Sequence, residues 1–127
     1  MIVLDASAII AVLFDEPGSD EVVRRMDGAL LSSVNLAEVL QKAAFYDVDA
    51  TAVRRLLGET QIGIAPFDDR MALDTAELGA STKQQGLSLG DRACLALGLA
   101  VNGIALTMDR GWASLVIPGV EIHVVTR

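Results

Sequence analysis

Short apolar runs with no polar alternation recur along the chain, and stretches of helical periodicity lie between them. That alternation constrains the fold more than any other feature. A strand that is apolar on both faces is covered on both faces, which is the condition of a parallel sheet flanked by helices. Ile2–Leu4 is such a run; it ends at Asp5, and Ser7–Phe14 then carries apolar residues at helical density until Asp15-Glu16-Pro17-Gly18 stops it. The pattern predicts further strands at Ala29–Leu31, Ile62–Phe67, Ile104–Thr107 and Val120–Val125. Helices are predicted at Ser19–Met26, Asn35–Tyr46, Asp49–Leu57, Asp68–Thr82 and Leu89–Val101, the last apolar nearly all round and closed by Asn102-Gly103. The expected architecture is α/β in three layers, with a mostly parallel central sheet and helices on both faces. One domain over residues 1–127 fits the length, and no linker, repeat or low-complexity segment interrupts it.

Composition removes several functional classes. With 52% hydrophobic residues the chain can build a core unaided, and disorder is excluded. Its one cysteine, Cys94, excludes an internal disulfide and any multi-cysteine zinc site, as expected for a reducing cytoplasm. No basic region precedes the first apolar run, so no secretory signal is expected. The longest apolar stretches, Ala8–Phe14 and Ala93–Val101, fall far short of the ~20 residues of a membrane span. A net charge of −7 is the wrong sign for gripping nucleic acid through charge alone, so a polyanionic substrate would need metal or a local basic patch.

In a parallel sheet ligands bind beyond the carboxyl ends of the strands, and four acids stand where strands give way to helices: Asp5, Glu38, Asp91 and Asp109. Each also has an ordinary explanation. Asp5 and Asp109 are good N-caps, and Asn35-x-x-Glu38 and Ser88-x-x-Asp91 both fit a capping box. Position argues for more, because Glu38 precedes Val39-Leu40 and Asp91 precedes Ala93-Cys94-Leu95, surfaces that must be buried. The nearest cations, Arg92 and Arg110, adjoin their acids in sequence and so point elsewhere on a helix. Hard divalent ions such as Mg²⁺ or Mn²⁺, held by carboxylates from separate elements, would neutralise such a cluster and could cleave a phosphodiester. Crowded carboxylates repel, so without metal at least one is expected to titrate above the usual ~4.

Four segments in order, IVLDASAIIAVLF, SSVNLAEVLQK, LSLGDRACLALGLA and IALTMDRGWA, resemble the PIN-domain ribonucleases, and within them the VapC-type toxins of toxin–antitoxin pairs. The resemblance covers essentially the whole chain. It implies a PIN-like fold and a metal-dependent endoribonuclease using Mg²⁺ or Mn²⁺, with Asp5, Glu38, Asp91 and Asp109 as the catalytic, metal-binding quartet. It further implies an RNA substrate, products with 5′-phosphate and 3′-hydroxyl ends, and an antitoxin that brings a basic side chain to the acids. Thr107 matches the family's hydroxyl position behind the metal ligands, with Ser7 a weaker candidate of the same kind. Arg92 and Arg110 are candidate RNA contacts, beside Arg24-Arg25 and Arg54-Arg55. A mean hydropathy of +0.45, with apolar helices over Val34–Tyr46 and Val53–Leu57, suggests a homodimer.

Three rivals compete with that reading. Gly86-Leu87-Ser88-Leu89-Gly90 spells a nucleophile elbow, with Asp109 and His123 following in the order of a serine hydrolase. The polar Ser81–Gln85 denies it the preceding strand, and His123 falls inside a strand pattern. A phosphate-accepting aspartate would need a late lysine, yet the last one, Lys83, precedes two of the acids. A catalytically silent interaction module, its acids binding a basic segment, is the non-enzymatic alternative; the full acidic quartet argues against it. Cys94 reads as core, and Trp112 as an aromatic anchor for the last helical segment.

Overall fold

A computed structural model describes residues 1–127. In chain order the elements are β1 (Ile2–Leu4), α1 (Ala6–Leu13), α2 (Ser19–Arg25), β2 (Leu30–Ser32), α3 (Ser33–Phe45) and α4 (Ala50–Gly58). There follow β3 (Gly63–Ala65), α5 (Asp69–Ser81), α6 (Leu89–Ala100), β4 (Ile104–Thr107), a 3-10 turn (Arg110–Ser114) and β5 (Glu121–Val124). All five strands are parallel, in the order β3-β2-β1-β4-β5. The expected α/β architecture is the observed one.

Alternation along each strand divides the core into two layers. Leu4, Leu31 and Leu106 face one side and pack with Ala8 and Ile9 of α1, Val22 of α2, Val39 of α3 and Val53 of α4. Val3 and Ala105 face the other, against Leu78 of α5, Cys94 and Leu95 of α6, and Trp112 of the 3-10 turn. Cys94 and Trp112 are therefore core, as the sequence predicts. β1 lies between β2 and β4, so both of its edges are paired, and with a helical layer on each face Val3 and Leu4 are wholly buried.

Two helix starts differ from expectation. α3 begins at Ser33, directly after β2, because Ser32 is both the last strand residue and the N-cap, its hydroxyl accepting from Val34 N at 3.2 Å. Asn35 is thereby moved inside the helix, and no capping box joins it to Glu38. α1 begins at Ala6, with Asp5 in the N-cap position but making no side-chain cap bond. The Ser88–Asp91 capping box forms as predicted, with both reciprocal bonds present.

Candidate active site

Parallel strands place all carboxyl ends on one edge of the sheet. From β1 the chain builds outward through β2 and β3, then crosses to the other side for β4 and β5, so the topological switch lies between β1 and β4. Asp5 and Thr107 stand at that point, in neighbouring strands that Asp5 N–H joins to the Leu106 carbonyl at 2.9 Å. A crevice of about 350 Å³ opens there. Asp5, Glu38, Asp91 and Asp109 all line it, together with Ser7 and the α3 residues Gln41, Lys42 and Phe45.

Each carboxylate is held through one oxygen. Asp5 Oδ2 accepts from Ser7 Oγ at 2.7 Å and from Thr107 Oγ1 at 2.8 Å. Glu38 Oε1 accepts from Asn35 Nδ2 at 2.8 Å, Asp91 Oδ2 from Ser88 N at 3.0 Å, and Asp109 Oδ1 from Gly111 N at 2.8 Å. The second oxygen of all four acids carries no hydrogen bond, and none of the four joins an ion pair. Capping and ligation are thus compatible uses of one side chain. A cap engages one carboxylate oxygen and fixes its direction, leaving the other without a hydrogen bond.

The hydroxyls behind Asp5 are fully committed. Ser7 and Thr107 each give their single proton to Asp5, so their mutual 3.2 Å contact is not a further hydrogen bond. In return Ser7 Oγ accepts from Met108 N at 2.9 Å and Thr107 Oγ1 from Asp109 N at 3.0 Å. Thr107 therefore links two of the acids.

Burial pushes the Asp5 carboxyl up to about 6; the Ser7 and Thr107 hydrogen bonds oppose the rise, and the charges of Asp91 and Glu38 add to it. The same three acids, after burial itself, raise the Cys94 thiol beneath them. Repulsion at a distance is accordingly felt, although no three His, Cys, Asp or Glu side chains are grouped closely enough to chelate one ion as they stand. The donor set is carboxylate oxygen alone, which suits a hard divalent cation and offers nothing to a soft one.

Other predicted residues are placed apart from the crevice. Arg92 turns to the end of α5, its Nε donating to Thr82 Oγ1 at 3.0 Å and its Nη2 to the Thr82 carbonyl at 3.3 Å. Arg110 borders an adjoining hollow that shares Ser7 and Asp109 with the crevice. The element immediately before Ser88 is the helix α5 rather than a strand, Ser88 caps α6, and His123 on the edge strand β5 meets Glu21 of α2 at 2.9 Å, so the hydrolase reading fails on context. Lys42 is the one cation lining the crevice, and sequence reasoning passed over it. Its signal was available: positions 38, 41, 42 and 45 share one helical face.

The family model described as the PIN domain matches residues 2–117. No curated protein sequence matches the chain. Among solved structures it is similar to a toxin–antitoxin complex from Klebsiella pneumoniae, with a TM-score of 0.76, 20% identity and coverage of 94% of this chain and 95% of that one. It is also similar to VapBC2 from Rickettsia felis bound to a DNA fragment from their promoter (TM-score 0.72, 18% identity, 99% and 100% covered). A third similar structure is FitAcB from Neisseria gonorrhoeae (TM-score 0.70, 22% identity, 96% of both chains).

Proposed function

The chain belongs to the PIN-domain family, and from that premise we propose that it is a Mg²⁺- or Mn²⁺-dependent endoribonuclease acting as the toxin of a toxin–antitoxin pair. One observation carries this reading. Four carboxylates from four elements face one crevice, each with one oxygen engaged by the protein and the other free of any bond. Four unrelated caps would have no reason to converge.

Asp5, Glu38, Asp91 and Asp109 are the residues that would hold the ion. A divalent cation there supplies Lewis-acid stabilisation of charge developing on phosphodiester oxygens and acidifies water at the site. The chain's own contribution is preorganisation. Ser7 and Thr107 fix the buried Asp5 in one rotamer, Ser88 and Gly111 N–H groups aim Asp91 and Asp109, and the open mouth admits a phosphate. Lys42 is the cation available at that mouth to a second phosphate of the strand; its Nζ rests 5.3 Å from the Tyr46 ring centroid. The similar toxin–antitoxin complexes support an antitoxin partner. Exposed Phe45, Tyr46, Val48 and Leu56 around α3 and α4 support apolar contacts, with an antitoxin segment or with a second copy in a homodimer. No helix is long and apolar enough to cross a membrane.

Incubation with single-stranded RNA tests the activity directly. Cleavage in Mg²⁺ or Mn²⁺ that stops with excess chelator is expected; cleavage that survives the chelator contradicts the reading. For the biological role, expression alone is expected to arrest growth and co-expression of a neighbouring gene to restore it.

A further inference from the structure

Asn35 is wholly buried, yet it is not the helix cap its spacing to Glu38 suggests. Its Nδ2 spends both protons, one on Glu38 Oε1 at 2.8 Å and one on the Gly90 carbonyl at 3.0 Å. Both partners only accept, so the amide has one permitted orientation; turned over, Oδ1 would face two acceptor oxygens. Held this way round, Oδ1 is buried without a partner. A buried unpaired acceptor costs free energy that an apolar side chain of similar volume would avoid, so packing alone does not account for an asparagine here.

Gly90 completes the arrangement from the opposite helix. It is buried in the first turn of α6, beside Asp91, and a Cβ built there would collide with both oxygens of the Glu38 carboxylate. The carboxylate lies against bare backbone because no side chain stands in its way. One amide therefore ties α3 to the start of α6 and sets Glu38 relative to Asp91, two acids that no other hydrogen bond connects.

We propose that Asn35 and Gly90 form the seat of Glu38: Asn35 is a positioning residue that aims the carboxylate into the acidic crevice, and Gly90 leaves the room for it. This rests on the metal-dependent reading of the same site. Partners that orient a metal ligand typically contribute ~10–100-fold in metal affinity or activity.

Calorimetric titration of Mn²⁺ into metal-free wild type, Asn35→Leu and Gly90→Ala tests the seat, alongside kcat and KM on an RNA oligonucleotide. Leucine keeps the branching and heavy-atom count of Asn35 and removes the donor; alanine favours the helix and displaces only the flexible end of Glu38. Both folded variants are expected to bind Mn²⁺ about 10–100-fold more weakly, with kcat reduced and KM little changed. If Asn35→Leu does not fold, Gly90→Ala decides alone. Variants that bind Mn²⁺ and turn over like wild type overturn the seat while leaving the metal site intact. Wild type that binds no Mn²⁺ overturns the metal-dependent reading and the seat with it.

Discussion

Asp5 and Asp109 occupy matching places and are held in opposite ways. Each stands just past the carboxyl end of a central strand, β1 or β4, and each is the N-cap residue of the helical segment that follows. Asp109 is exposed and caps, accepting from Gly111 N. Asp5 is 5% exposed and caps nothing; its carboxylate is held by side-chain hydroxyls, one of them 102 residues away. The difference teaches that a capping position does not decide a role. What decides is where the donors come from and whether water can reach the charge. Asp109 is stabilised by its own turn and solvent, whereas Asp5 is a buried anion with two hydrogen bonds and no counter-charge.

Neutralising the two acids sharpens the comparison most. Asp5→Asn and Asp109→Asn are each expected to lower RNA cleavage by more than about a hundredfold, as ligands of one ion. They are expected to part on stability. In chelator at neutral pH, Asp5→Asn melts at or above wild type because it removes a buried charge, while Asp109→Asn stays within ~0.5 kcal/mol because Asn caps about as well as Asp. Equal stability effects would break the distinction between the two sites.

A pH series isolates the buried member. The Asp5 carboxyl is raised from 3.8 to about 6, so the folded state binds its proton more tightly than the unfolded chain. Its contribution to stability is therefore fully present below pH ~4 and is lost as pH rises through about 6, a change on the order of 3 kcal/mol. Metal-free wild type and Asp109→Asn should share this slope in denaturant melts, and Asp5→Asn should lack it.

Thr107→Val removes the hydroxyl that serves both acids. The loss of a buried donor and acceptor is expected to cost about 1–3 kcal/mol, measured by urea unfolding. Ser88→Ala, which removes only one half of an exposed capping box, is expected to cost about 1 kcal/mol or less by the same measurement.

β1 and β4 were legible to the residue, because Asp5 and Gly103 punctuate β-branched runs. The four acids were legible as candidates for the same reason: each follows a change of period. Asn35 was misread because Ser32 ends β2 and caps α3 at once, and a junction without a loop leaves no turn residues to mark it. The 3-10 turn at Arg110–Ser114 is too short to carry a period. Arg92 and the Gly90–Glu38 contact were invisible for a different reason. Both depend on which helix packs across from α6, and that is a tertiary fact: α5 supplies Thr82 to Arg92, and α3 brings Glu38 onto Gly90.

The central claim is that Asp5 and Asp109, unlike in burial and support, serve one cation. Thermal melts of wild type, Asp5→Asn and Asp109→Asn, each in chelator and in excess Mn²⁺, test it without any substrate. Mn²⁺ is expected to raise the wild-type Tm, with ~2.7 kcal/mol of stabilisation at a hundredfold excess over Kd, and to raise both variants distinctly less. An identical Mn²⁺ response in all three proteins, or none in wild type, would contradict a shared metal site.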